Sequence, residues 1–122
     1  MKIVVIGTGY VGLVTGVCLA DLGHNVACVD IDQNKIKKLE NGEVPFFEPG
    51  LDDILKKNFL AGRLKFNTSL ENNTQDAEAI FIAVGTPPKE NGEADLSYVL
   101  KVALISFILL ILHDLFNLTA LA

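Results

Sequence analysis

The segment KIVVIGTGYVGLVTGVCLADLGHNVACVDID, Lys2–Asp32, decides the fold. Lys2–Ile6 is a short, largely β-branched run followed directly by Gly7-x-Gly9-x-x-Gly12. Apolar residues then recur at helical spacing from Tyr10 to Leu22, Gly23 stops the pattern, and Asn25–Val29 is a second apolar run closing on Asp30. Strand, glycine turn, helix, strand and terminal acid together read as a dinucleotide-binding βαβ unit. Gly7 permits the tight turn, Gly9 lets backbone approach a pyrophosphate, and Gly12 lets the helix pack closely on the sheet. Glycine-rich turns are common, so the weight rests on the acid 18 residues after Gly12 and on the two buried-type strands around it. Asp30 is placed to accept hydrogen bonds from ribose hydroxyls, and its charge repels a 2′-phosphate, which predicts NAD rather than NADP. Asp32, lying beyond the strand, reads as the cap of the next helix, and Gly16 as a further close helix–sheet contact.

A chain of 122 residues, half of them apolar, is one domain of ordinary size with material for a real core. Fifteen acidic residues against ten Lys and Arg leave a net charge of −5, which argues against nucleic acid as the main partner. Met1-Lys2 runs straight into the first strand, so no signal peptide is expected and a cytoplasmic location is predicted. Cys18 and Cys28 fall on the predicted helix and strand and read as reduced thiols buried in the core. Neither has a predicted His or acid partner, so no catalytic residue and no metal site is assigned. His24, in a turn, is given no role.

Downstream, Asp32 is expected to cap a helix over Gln33–Asn41 with Ile36 and Leu39 facing inward and Gly42 ending it. Glu43–Gly50, with two prolines and two phenylalanines, reads as a semi-rigid loop that a minimal nucleotide-binding unit does not need. Helical periodicity resumes over Leu51–Ala61, Arg63–Asn67 is a third short strand, and Ser69–Gln75 is a turn or short helix capped by Thr68 or Ser69. Ala79–Val84 is the fourth strand. Gly85-Thr86-Pro87-Pro88 follows it and puts a tight turn at the carboxyl end of what reads as a central strand, where open sheets bind ligands. Lys89–Ala94 is a polar loop, and Asp95 or Ser97 starts the last helix.

With these segments in place the chain resembles the N-terminal part of the UDP-glucose/GDP-mannose dehydrogenase family. The opening GTGYVG, the VDID strand end with Lys35 after it, and PFFEPGLDDIL at Pro45–Leu55 carry the likeness. So do GRLKF at Gly62–Phe66, VGTPPKENGEADLSYV at Val84–Val99 and KVA at Lys101–Ala103. The EPGL and GTP segments are more specific than the glycine motif, and the GEADLSYV wording favours the UDP-glucose branch over the GDP-mannose and UDP-N-acetylmannosamine branches. The resemblance implies an NAD-dependent oxidoreductase that converts UDP-glucose to the glucuronate with two NAD, homo-oligomeric when full-length. It implies that Gly7, Gly9, Tyr10, Val11 and Gly12 surround the pyrophosphate. By the same likeness Asp30 and Lys35 hold the adenosine ribose, and Gly85 and Thr86 lie toward the nicotinamide.

The likeness covers Met1 to about Ala103. The family's nucleophilic cysteine and its assisting residues belong to later segments that nothing here matches, and Cys18 and Cys28 are not substitutes. The expected fold is therefore α/β, a Rossmann-type parallel sheet with helices on both faces, truncated after the fourth strand and following helix. Residues 1–103 form a partial NAD-binding domain and 104–122 a divergent apolar helical tail. Val102–Leu112 is apolar on nearly every face but is followed by His113-Asp114, short of the ~20 apolar residues of a membrane span. A membrane role is not expected, and the chain alone is expected to be inactive; the alternatives are a related GDP-mannose or UDP-N-acetylmannosamine dehydrogenase, or a stand-alone NAD-binding module without catalysis.

Overall fold

A computed structural model describes residues 1–120. The elements run β1 (Lys2–Ile6), α1 (Tyr10–Asp21), β2 (Asn25–Val29), α2 (Gln33–Glu40), α3 (Leu51–Leu60), β3 (Leu64–Asn67), α4 (Glu71–Thr74), β4 (Ala79–Ile82) and α5 (Ser97–Ala120). All four strands are parallel, in the order β3-β2-β1-β4. The chain moves outward from β1 to β3 and then jumps back across β1 to β4. Right-handed crossovers in opposite directions put the connecting helices on opposite faces, which accounts for the two separate cores.

On one face α1, α2 and α3 cover Ile3, Val5, Val26, Cys28, Leu64 and Phe66, the alternate residues of the strands. Helix α1 contributes Leu13, Val17 and Ala20, all fully buried at helical spacing. The helix sits close because Gly16 lacks a side chain: a Cβ there would lie 2.5 Å from Cys28 Sγ. Gly23, at φ +99°, turns the chain out of α1 in the left-handed region that other residues rarely adopt. Asp32 caps α2, its Oδ1 accepting from the N–H groups of Asn34 and Lys35 at 3.0 and 3.1 Å, with Ile36 and Leu39 buried beneath.

On the other face Val4, Ile6 and Val29 meet Val102 of α5. Only Val102 and Ser106 of the 24 residues of α5 are buried, on the side turned to the sheet. Exposed along the helix are Leu100, Leu104, Phe107, Ile111, Leu115 and Leu118. Helix α5 is long and apolar enough to cross a membrane by length and composition. It runs unbroken past residue 104, and His113 Nε2 lies 3.5 Å from Asp76 Oδ1 in the connection before β4.

Two expectations need correction. Cys18 is exposed rather than buried. The stripe Leu13, Gly16, Val17, Ala20 uses the sheet-facing side of α1, and one step past Val17 turns Cys18 about 100° away. The fourth strand is an edge strand among the described residues, and it leaves the ladder two residues early. Ala83 N–H still donates to Ile6 C=O at 2.8 Å. The polar loop expected after it is present and closes tightly: Pro88 bridges to Ala94, and Lys89 N–H donates to Glu93 C=O at 2.7 Å.

Candidate cofactor site

The reversal of strand order between β1 and β4 opens a crevice at the carboxyl ends of these strands, where α/β sheets take ligands. A cleft of about 570 Å³ lies there, within the range of small-molecule sites. Its walls are the glycine turn Gly7–Gly9, Asp30 with Lys35, the Val84–Gly85 turn, and Tyr98, Lys101 and Ile105 of α5.

The three glycines of the turn do different work. Gly7 has φ +100°, and a Cβ on it would lie 2.5 Å from the Ala83 carbonyl oxygen, so both conformation and space exclude a side chain. A Cβ on Gly12 would lie 1.9 Å from the Gly7 carbonyl oxygen. Gly9 differs: its backbone is extended and a Cβ would meet nothing within 4 Å. No protein contact requires a glycine at this position. The open space in front of it, at the N-terminus of α1, is where a ligand's approach to the backbone would demand one.

Helix α1 begins without a side-chain cap and without an acid in its first turn. Its leading N–H groups have no intrahelical acceptor, and together with the helix dipole they favour an anion. At the end of β2, Asp30 presents a carboxylate only 11% exposed. Its Oδ2 accepts from Thr8 N–H at 3.0 Å, the Thr8 hydroxyl at 2.7 Å and Lys35 Nζ at 3.2 Å, while Oδ1 accepts from Asp32 N–H at 3.0 Å. Burial pushes the Asp30 pKa up, but the Thr8 hydroxyl, the Asp32 and Thr8 N–H groups and Lys35 outweigh it and hold the carboxyl below its ordinary range. Asp30 is therefore ionised at neutral pH. A phosphate seat at a helix start with an ionised acid at the neighbouring strand end fits a dinucleotide carrying a free ribose diol.

Of the residues picked out in the sequence, Gly7, Gly9, Asp30, Lys35 and Gly85 line this cleft. Tyr10, Val11 and Gly12 form the first turn of α1. The Tyr10 and Val11 side chains are exposed, and neither lines the cleft. Tyr10 turns to the Glu43–Gly50 loop: its ring lies 4.8 Å from that of Phe46, and its hydroxyl donates to Glu48 at 2.5 Å. That hydrogen bond and the Glu48 charge raise the Tyr10 pKa. The proline-rich loop is thus tethered to the helix start. Thr86 lies one residue beyond Gly85, exposed and outside the cleft lining. Cys18 and Cys28 do not line the cleft either, and burial pushes the Cys28 thiol up to about 12.

Two contributions escaped the sequence reading. Thr8, fully buried, is the main hydrogen-bond partner of Asp30. A hydroxyl between two glycines was its only signal. Tyr98 and Lys101 reach the cleft because α5 folds back over the sheet, a tertiary placement that local pattern does not carry.

Comparison with known proteins gives the family. The family model described as UDP-glucose/GDP-mannose dehydrogenase family, NAD binding domain, matches residues 1–108. The chain belongs to this family. A UDP-glucose 6-dehydrogenase of Bacillus subtilis, YwqF, is 53% identical over 103 residues, 84% of this chain and 23% of its own length. One from Rickettsia felis is 56% identical over 99 residues, covering 81% of this chain and 22% of that enzyme. Among solved structures, a GDP-mannose dehydrogenase from Pseudomonas aeruginosa, crystallised as a ternary complex, superposes with a TM-score of 0.80. It is 41% identical, over 84% of this chain and 23% of that one. A UDP-N-acetyl-mannosamine dehydrogenase from Staphylococcus aureus gives 0.79 at 36% identity, over 88% of this chain and 26% of its own. The dehydrogenase-family chain described here spans about a quarter of the length of the relatives it matches. It is an NAD-binding domain of an NAD-dependent oxidoreductase family acting on nucleotide sugars.

Proposed function

We propose that this chain is the cofactor-holding part of a UDP-glucose 6-dehydrogenase. The observation that carries the reading is the paired geometry of Gly9 and Asp30: open space before an uncapped helix start, and an ionised carboxylate at the neighbouring strand end. NAD bound in the cleft supplies the hydride acceptor. The residues of this chain bind and orient it. The N–H groups of Gly9, Tyr10, Val11 and Gly12 receive the pyrophosphate, Asp30 and Lys35 hold the adenosine ribose, and the Gly85–Thr86 turn borders the nicotinamide end. Asp30 also sets the preference for NAD, since a 2′-phosphate would face its charge.

UDP-glucose as substrate is supported by the curated relatives, which are UDP-glucose 6-dehydrogenases at 53% and 56% identity. GDP-mannose or UDP-N-acetylmannosamine is the second reading, supported by the solved structures at 41% and 36%. In this proposal residues 1–103 are the nucleotide-binding unit and 104–122 an apolar helical extension, the setting is cytoplasmic, and oligomerisation belongs to the full-length enzyme. The test is a chimera in which residues 1–103 replace the matching segment of the Bacillus subtilis enzyme or of the Pseudomonas aeruginosa GDP-mannose dehydrogenase. NADH formation at 340 nm from UDP-glucose in the first chimera, absent in its Gly9→Val form, is expected. Activity only in the GDP-mannose chimera would move the assignment to the second reading.

A further inference from the structure

Four donors surround the Asp30 carboxylate, and they are divided unevenly between its oxygens. Oδ2 takes three of them, the Thr8 N–H, the Thr8 hydroxyl and Lys35 Nζ. Oδ1 takes one, the Asp32 N–H. A carboxylate oxygen has about two lone-pair positions, so Oδ2 is saturated and the open acceptor position lies on Oδ1. The Thr8 hydroxyl makes the shortest of these bonds, and Thr8 itself is fully buried, held in the turn between Gly7 and Gly9. Its N–H, committed to Asp30, is not available to a phosphate. The same residue that ties the glycine turn to β2 therefore also decides which carboxylate oxygen keeps an open acceptor position.

We infer that Thr8 is the positioning residue for Asp30: it locks Oδ2 against the glycine turn and leaves Oδ1 as the oxygen offered to the adenosine ribose. The inference rests on the proposed NAD site and adds to it a residue whose N–H and hydroxyl are both committed to Asp30. A side chain without a hydroxyl at this position leaves Oδ2 with two donors, one of them the partly exposed Lys35 ammonium at 3.2 Å, and the carboxylate is less firmly held. Serine keeps the hydroxyl and should keep the function.

The test uses the full 122-residue chain and calorimetric titration with two ligands, NAD and an NAD analogue whose adenosine ribose lacks both hydroxyls. Thr8→Val should weaken NAD about tenfold, the loss of one hydrogen bond to a charged group. It should leave the dideoxy analogue unchanged, because that ligand makes no use of Asp30. Thr8→Ser should bind both ligands within about twofold of the wild type. A thermal melt of each variant checks that the fold is retained, and Thr8→Ser keeps the comparison readable if Thr8→Val does not fold. In that case a Thr8→Ser chain that lost discrimination between the two ligands would overturn the inference, and one that kept it would sustain it. Equal weakening of both ligands by Thr8→Val would make Thr8 merely structural and overturn the inference. Unchanged NAD affinity would overturn it too. Failure of the wild-type chain to bind NAD at all would instead remove the underlying site.

Discussion

Gly9 and Gly12 belong to one motif, yet alanine at the two positions should do opposite things. At Gly12 the new Cβ would sit 1.9 Å from the Gly7 carbonyl oxygen and 3.2 Å from Ala83 Cβ. Normal contact is ~3.5 Å, so α1 must move away from the turn by more than ~1 Å. Such overpacking costs ~1–3 kcal/mol, a fall of about 5–15 °C in melting temperature for a domain of this size. At Gly9 the Cβ meets nothing and φ is −70°, so no strain is introduced. Alanine there lowers the entropy of the unfolded chain but is a poorer cap than glycine, and the two effects offset to within ~1 kcal/mol. Binding responds the other way round. The added methyl occupies the approach of a phosphate to the helix-start N–H groups and removes one or two charge-assisted hydrogen bonds of ~1.5–3 kcal/mol each. NAD affinity should fall at least about tenfold. Thermal melts by circular dichroism and titration with NADH fluorescence give both numbers. A Gly9→Ala chain that melts many degrees early, or binds NADH as tightly as the wild type, would refute the division of roles.

Asp30→Ala should weaken NAD by ~1–3 kcal/mol while strengthening NADP, because Lys35 Nζ, now 3.2 Å from the carboxylate, is left without it at the adenosine end; an unaltered NADP affinity would contradict this. Iodoacetamide should label Cys18 alone in the native chain and both cysteines in denaturant, since Cys28 is buried with its thiol pushed up to about 12. Two labels under native conditions would be inconsistent with the packing of Gly16 on Cys28. Stability should decline in acid. Asp30, despite its burial, and Asp21, through Asn58 and Lys57, both lie below the ordinary carboxylate range when folded. The unfolded chain then takes up protons first, so their contribution is full above about pH 4 and is lost as pH falls through the folded values. Urea midpoints between pH 7 and 3 should show this decline, shallower in Asp30→Asn; identical slopes would remove Asp30 from the account. With UDP-glucose and NAD the chain alone should form no NADH at 340 nm. A signal above the no-substrate control that is lost in Cys18→Ala or Cys28→Ala would overturn that.

What the sequence made legible was what is local. The β-branched run at Lys2–Ile6, the left-handed stop at Gly23 and the Asp32 cap each act within a few residues of themselves, and each appears where periodicity places it. The acid at the end of β2 was found because the βαβ unit fixes its spacing from the glycines. Cys18 was misplaced because α1 is apolar on nearly every side, so periodicity alone does not select the buried face. The close contact of Gly16 with Cys28 does. Position in the sheet was equally hidden. Strand β4 has the apolar composition of an interior strand, and only its pairing shows β1 on one side and no partner on the other among the described residues. The contacts of Thr8 with Asp30 and of α5 with the cleft join residues far apart in the chain, and nothing in local pattern signals them.

The central claim is that a dinucleotide settles on the start of α1 and the end of β2. Amide chemical-shift perturbation in a nitrogen-15-labelled chain titrated with NAD tests it residue by residue. The account predicts saturable shifts at Gly9, Tyr10 and Val11 and at Asp30 and Gly85, much weaker with NADP and absent in Gly9→Val. A second, more polar depression lies at the far end of the strands, lined by Asn25, Arg63 and Asn73 among others. Shifts confined to those residues, or no saturable shifts at all, would contradict the claim.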